Sequence, residues 1–243
     1  MVKTAICDDN EVFLIKFKDI LSTMFSKYHI VSDISAYSSG SLLLQHHTQK
    51  PFDIIFLDID MPRVSGFDVA AALKKKSKYT LFVFVTNHNE LIYDSFLFQP
   101  LNFITKSSND IMQQRLITVV RQIKECLIQH KTIILENDII GKKAVNISDI
   151  VYIESNRHNV IYHIKGEKDP ITISGSISAL QEEYNDCGFI RIHKKYLVNM
   201  KHMFNVNISK EYVEFKDHSI LSMSRNLRHT VDEAFTQYLR RTS

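Results

Sequence analysis

The sequence predicts a chain of two domains, an α/β domain on a doubly wound, five-stranded parallel sheet followed by a mostly β domain. Three observations predict it. Strand-length apolar runs alternate with longer amphipathic segments as far as residue 128. Beyond residue 130 the rhythm changes to short β-branched runs separated by turn signals. The length of 243 residues suits two modest domains at roughly 100 to 200 residues each. With 44% hydrophobic and 23% charged residues, but only 6 Gly and 4 Pro, the chain has ample apolar side chain for a core. Collagen-like, low-complexity and largely disordered readings are excluded.

In the first half the strand-length runs are 4–7, 31–36, 53–57, 80–85 and 101–104, the second being the weakest. The amphipathic segments are 11–27, 39–48, 65–77, 89–98 and 108–128. In the last of these, Ile111, Leu116, Ile117, Val120, Ile123 and Leu127 are expected to share one apolar face. Five β-then-α units in this length call for a flavodoxin-like sheet with helices on both faces and its binding edge at the carboxyl ends of the strands. No Pro- or Gly-rich linker follows, so the join is placed at the end of the long helix, with domains at 1–128 and 132–241. In the second half, strands are expected at 132–135, 151–154, 160–164, 171–174, 203–208, 212–215 and 220–223. Two helices interrupt them, at 176–186 with Ser176 as cap and Gly188 after its end, and at 226–241 with Leu227, Val231, Phe235 and Tyr238 on one face.

A net charge of +3 is too balanced to imply a polyanionic partner by itself. Cys7, Cys126 and Cys187 are odd in number and far apart, which gives neither a disulfide framework nor a metal pair and fits a reducing cytoplasm. The first residues lack the apolar stretch of a secretory signal, and no apolar run approaches the ~20 residues needed to cross a bilayer. A cytoplasmic protein without membrane insertion is expected.

The chemistry of the first half sits at the strand ends: Asp8 and Asp9 after the first, Asp58 after the third, Thr86 on the fourth and Lys106 after the fifth. A parallel sheet gathers these on one edge. Three carboxylates there repel one another, and a divalent cation resolves the conflict. Oxygen-only ligands favour Mg²⁺, which readily bridges to a phosphoryl group. Asp58 can then attack phosphorus while Lys106 and Thr86 neutralise the equatorial oxygens.

The pattern Asp8-Asp9, Phe56-Leu57-Asp58-Ile59-Asp60-Met61-Pro62, Gly66, Thr86 and Phe103-Ile104-Thr105-Lys106 resembles the receiver domain of two-component response regulators. The resemblance implies that Asp58 is phosphorylated by a sensor histidine kinase, and that Asp8, Asp9, Asp58 and the backbone carbonyl of Asp60 hold Mg²⁺. It further implies that Thr86 and Phe103 reorient as a switch. Ser107 stands where receivers usually carry Pro, which bears on the local backbone, including a cis bond forgone. The side chains of Asp53, Asp60 and Asp68 read as solvated. Asp58-Ile59-Asp60 also resembles the nucleophile motif of haloacid-dehalogenase-type phosphatases, but those enzymes carry a later acidic pair, and here the pair lies upstream.

Residues 188–243 hold ten Lys and Arg against five Asp and Glu. Arg, Asn and Lys are the types that read bases and neutralise phosphates. The order Ile150-Val151-Tyr152-Ile153-Glu154, then Phe189-Ile190-Arg191-Ile192-His193-Lys194-Lys195-Tyr196-Leu197-Val198-Asn199, then Leu221-Ser222-Met223-Ser224-Arg225 is similar to the LytTR DNA-binding domain. That resemblance implies loops, rather than a recognition helix, entering the major groove of double-stranded promoter DNA. By motif match Asn199 and Arg225 contact bases or position the backbone, His158 is a third contact, and Lys194 and Lys195 meet phosphates. His193 reads as structural. The whole is expected to be a transcriptional regulator that dimerises when phosphorylated. The alternative output is a β domain that binds a protein.

Overall fold

The computed structural model describes residues 1–76 and 80–242. The chain divides into two compact units, Met1–Cys126 and Leu127–Ser243. In the first, β1 (Val2–Cys7), β2 (Ser32–Tyr37), β3 (Ile54–Leu57), β4 (Leu81–Thr86) and β5 (Asn102–Thr105) form one sheet in the order β2-β1-β3-β4-β5. Every neighbouring pair is parallel. The central strands are apolar at nearly every position because helices cover both faces, and Ile54, Ile55, Phe56 and Leu57 are all fully buried.

The helices are α1 (Glu11–Lys27), α2 (Gly40–Gln49), α3 (Gly66–Lys76), α4 (Ile92–Ser95) and α5 (Asn109–Gln129). Residue 77, the expected end of α3, lies outside the described residues. Asn10 and Ser39 cap α1 and α2 by accepting from the amides of Phe13 and Leu42, contacts worth about 1 kcal/mol each. The buried face of α1 is Leu14, Phe17, Leu21 and Phe25, the spacing of one helical stripe.

Two expectations are corrected here. Segment 89–98 is not one helix but the single turn of α4 between 3₁₀ turns at Asn89–Leu91 and Phe96–Phe98, closed by Gln99 at φ +43°. Leu91 and Phe98 pack against the core but Tyr93, Phe96 and Leu97 are exposed, so the apolar positions do not make the one continuous buried face that would sustain a longer helix. In α5 the buried stripe is Met112, Leu116, Val119, Val120 and Ile123, while Ile111 is exposed.

In the second unit β6 (Thr132–Asn137) and β7 (Gly141–Asn146) form a hairpin. A five-stranded antiparallel sheet follows from β8 (Ile150–Asn156), β9 (Asn159–Ile164), β10 (Ile171–Ser174), β11 (Phe189–His193) and β12 (Tyr196–Asn199), in the order β10-β9-β8-β12-β11. A third sheet pairs β13 (Met203–Asn207), β14 (Tyr212–Phe215) and β15 (Ile220–Ser222). The helices are α6 (Ile177–Glu183), capped by Ser176, and α7 (Arg228–Thr242). Gly188 takes φ +81° after the 3₁₀ turn that follows α6.

Alternation along the strands divides the five-stranded sheet between two cores. Ile153, Phe189 and Leu197 pack with Leu135, Val145 and Ile177. Ile192 and Val198 pack with Val213, Phe215, Val231 and Phe235, with Leu227 and Tyr238 against them.

Candidate functional site

The sheet edge in the first unit is built by backbone ladder bonds that run one residue past the strand ends. Asp8 N–H donates to Tyr37 O (3.1 Å), Asp58 N–H to Cys7 O (2.9 Å) and Lys106 N–H to Thr86 O (2.9 Å). These bonds fix the origins of the acidic and basic side chains. Lys106 Nζ then lies 2.6 Å from Asp8 Oδ2 and 2.7 Å from Asp58 Oδ2, over the ring of Phe13 at 4.7 Å. Asp8 and Asp58 are buried. Asp9 is exposed, yet one carboxylate oxygen from each of Asp8, Asp9 and Asp58 lies within 4.8 Å of the others.

Burial raises the Asp8 carboxyl above its ordinary range, against the opposing pull of Lys106. For Lys106 burial disfavours the ammonium, but the bonds to Asp58 and Asp8 outweigh it and its pKa is raised. The neighbouring Cys7 thiol is pushed up to about 12 by burial and the adjacent carboxylates, so it stays protonated. Asp58 Oδ1 is buried without a hydrogen-bond partner. Asp8 Oδ2, although at ion-pair distance from Lys106, is likewise without an aligned hydrogen bond. One lysine cannot neutralise three carboxylates. Free buried oxygen donors beside an exposed one fit a hard divalent cation.

Gly66 holds this edge together at close quarters. A Cβ there would sit 2.1 Å from Asp58 O and 2.8 Å from Ile59 Cα, and Gly66 N–H donates to Ile59 O (2.9 Å). Thr86 is fully buried, its hydroxyl accepting the amide of His88 (3.3 Å). Ser107 donates its N–H to Thr105 O (2.8 Å), a bond proline cannot make, and no cis peptide occurs among the described residues.

In the second unit one end of the five-stranded sheet carries two cationic turns. Arg157 and His158 lie exposed between β8 and β9, and Lys194 and Lys195 lie exposed between β11 and β12. Ser155 N–H donates to Lys195 O (2.8 Å), which ties the two turns side by side. Ser224 N–H donates to Ile192 O (2.8 Å), bringing the segment of Arg225 alongside β11. The Arg225 side chain is 81% exposed, with Glu211 at 3.7 Å.

Residues 4–121 match the response regulator receiver domain and residues 141–236 the LytTr DNA-binding domain. The chain belongs to the LytTR response regulators. It is 24% identical over 213 residues to the sensory transduction protein LytT of Bacillus subtilis (strain 168), covering 84% of this chain and 85% of that protein. It is also 24% identical over 207 residues to the sensory transduction protein LytR of Staphylococcus saprophyticus, covering 76% and 78%. A LytTr DNA-binding domain structure from Bacillus cereus aligns with a TM-score of 0.38 at 16% identity, over 42% of this chain and 94% of that one. As a LytTR response regulator the chain is a phosphorylation-controlled, DNA-binding transcription regulator.

Within the receiver domain, Asp8, Asp9, Asp58, Thr86 and Lys106 lie at the sheet edge where their strands end. Phe103 is half-buried against the core that contains Phe84 and Leu57. The Asp60 carboxylate is exposed and accepts from His88 Nε2 (3.2 Å), while Glu90 takes His88 Nδ1 (2.7 Å). The bond to Glu90, aided by Asp60, raises the pKa of His88. Sequence reasoning missed this group, since nothing local links residues 60 and 88.

Within the LytTR domain the correction falls on Asn199. It is 3% exposed, donates its amide to Ile150 O (3.0 Å) and accepts from Lys201 N–H (3.1 Å). That amide is occupied inside the domain and closes the end of β12, so it does not face a groove. His193 accepts the amide of Lys195 at Nδ1 (3.2 Å), a structural contact, and burial with the nearby cations lowers its pKa.

Proposed function

We propose that Asp58 is the phosphoryl acceptor and that a sensor histidine kinase is the donor. The observation that carries this reading is the division of labour on one carboxylate. Oδ2 is held by Lys106 at 2.7 Å, and Oδ1 is buried and free. Oδ1 attacks phosphorus as the bond to the donor's leaving atom breaks, and Lys106 meets the charge of the equatorial oxygens. Thr86 lies on the neighbouring strand, so its hydroxyl reaches the same oxygens by exchanging its contact with the His88 amide. Asp8, Asp9, Asp58 and the backbone carbonyl of Asp60 would hold Mg²⁺, which when bound supplies charge neutralisation and orientation of the phosphoryl group. Reorientation of Thr86 and of Phe103 beside it would alter the outer surface of β4 and β5.

The Asp60 carboxylate, paired with His88, is placed poorly to protonate a leaving group at Asp58, which argues against phosphatase chemistry. The receiver function is assigned to 1–128 and the output to 132–241. His158, Lys194, Lys195 and Arg225 would meet promoter DNA, the lysines at phosphates. Two copies on repeated half-sites would gain affinity through effective concentration, so phosphorylation would act through a homodimer. No helix among the described residues is long and apolar enough to cross a membrane, in keeping with work in the cytoplasm.

The test uses the full chain with Mg²⁺ and a small acyl phosphate donor. One hydroxylamine-labile phosphoryl group should form on the wild type and none on Asp58→Ala, while gel shift on the upstream region of its own gene strengthens only for the wild type. Normal labelling of Asp58→Ala overturns the assignment. Steady turnover of phosphomonoesters would favour the phosphatase.

A further inference from the structure

Among the cationic residues of the LytTR domain, Arg191 is half-buried and spends its guanidinium on other groups of the domain. Along β11 it alternates with Ile190 and Ile192, which pack into the core beneath α7, so it projects on the other face, toward α6. There its guanidinium donates to Ser178 Oγ (3.2 Å) and Gln181 Oε1 (3.3 Å) of α6 through Nη1. It also curls back on its own hairpin, with Nε donating to His193 O (3.3 Å) and Nη2 to Lys194 O (3.0 Å). Four of its five N–H donors are thus engaged.

The two carbonyls it reaches, those of His193 and Lys194, lie at the mouth of the β11–β12 turn. The β11–β12 ladder shifts register between Arg191 and His193 before pairing resumes at His193 with Tyr196, so the turn follows directly on an irregularity. Without these side-chain bonds, a turn carrying two adjacent ammonium groups would sample many conformations, since each long lysine side chain already has large rotamer freedom. Arg191 binds the turn from the side of α6. The Ser155 to Lys195 bond fixes it from the side of β8, and the Lys195 to His193 contact closes it internally.

We propose that Arg191 is a positioning residue for DNA binding, a planar fork that fixes the Lys194–Lys195 turn so that both ammonium groups meet the phosphate backbone together. The proposal rests on the DNA-binding reading above. Lysine cannot replace it, because an ammonium group is a point donor and cannot span two backbone carbonyls and two side chains in one plane.

The experiment is a salt titration of the full-length protein on a duplex of random sequence, with melting curves to establish that each variant is folded. The logarithm of affinity falls with that of salt by about 0.9 per phosphate contacted. Replacing Lys194 and Lys195 by Ala should lower the slope by roughly 2. Arg191→Lys keeps every positive charge and should lower it by a similar amount. Arg191→Lys combined with the two alanines should lower it no further. A wild-type slope for Arg191→Lys overturns the proposal. So does a further loss of slope in the triple variant beyond that of the two alanines, which would mean that Arg191 acts other than through the lysine pair. If Arg191→Lys fails to fold, Ser178→Ala with Gln181→Ala leaves every cation in place. Some loss of slope is expected there, and an unchanged slope refutes the clamp. If the wild type shows no salt dependence, or the lysine pair contributes none, it is the DNA face itself that has been misplaced.

Discussion

Replacing Lys106 by Met tests whether the acidic edge is held by internal charge compensation. The side chain is 12% exposed, and its two carboxylate partners are 1% and 5% exposed, so all three groups are largely shielded from water. Removing one partner of such a pair costs roughly 3 to 5 kcal/mol. Proton uptake sets a ceiling. Protonating the Asp8 carboxyl at pH 7 costs about 1.4 kcal/mol for each pH unit above an ordinary value near 4, or about 4 kcal/mol. The expected loss is therefore about 3 to 4 kcal/mol, or roughly 10 to 15 °C for a unit of this size. In the variant the folded Asp8 pKa lies well above its unfolded value, so the folded state binds the extra proton and gains stability as pH falls. The deficit against wild type should narrow by about 2 to 3 kcal/mol between pH 7 and pH 5. Calorimetry at both pH values, with and without Mg²⁺, reads all of this. Saturation at about a hundred times the dissociation constant should add back about 2.7 kcal/mol. A deficit under about 1 kcal/mol, or one that ignores both pH and Mg²⁺, would refute the reasoning.

Gly66→Ala should cost about 3 kcal/mol, because the new Cβ meets the Asp58 carbonyl and Ile59 Cα, which are backbone atoms and cannot swing away. A displacement of ~1 Å at Asp58 should slow labelling from a small acyl phosphate on the order of 100-fold, measured by single-turnover kinetics; an unimpaired rate would mean that the loop yields freely. In the second unit, burial lowers the pKa of His202, whose Nε2–H donates to Ser148 O (2.9 Å). The unfolded chain therefore takes up this proton first, and the associated stability is lost as pH falls from about 7 through the unfolded value near 6.5. His202→Gln should flatten the dependence of melting temperature on pH between 7 and 5, and parallel curves would count against a neutral buried imidazole. Arg225→Ala should weaken sequence-specific DNA binding by about 1 to 3 kcal/mol. With its side chain 81% exposed, the same change should shift stability by no more than about 0.5 kcal/mol.

The acidic edge was legible because a parallel sheet obliges residues that follow β1, β3 and β5 to meet, however far apart they lie in the chain. Asp8, Asp58 and Lys106 needed no contact information beyond the strand assignments. The pairing of His88 with Asp60 did, since it depends on how two loops fold back. Segment 89–98 has helical spacing, but spacing does not reveal which apolar residues meet the core: Leu91 and Phe98 pack against it, while Tyr93, Phe96 and Leu97 stay exposed. The strand β7 escaped notice because Gly-Lys-Lys-Ala-Val-Asn offers only Ala144 and Val145 as apolar residues and owes its extended form to pairing with β6. Asn199 misled for a related reason: an asparagine after Tyr-Leu-Val fits a groove contact as well as a strand-end cap. The buried carbonyl of Ile150 that decides the matter lies 49 residues away.

The lysine bridge at positions 8, 58 and 106 also separates assembly from readiness. Since the two shielded carboxylates already have a counter-charge within the polypeptide, their burial does not wait on an ion. Newly made copies would thus keep this edge intact before any phosphoryl donor reaches them.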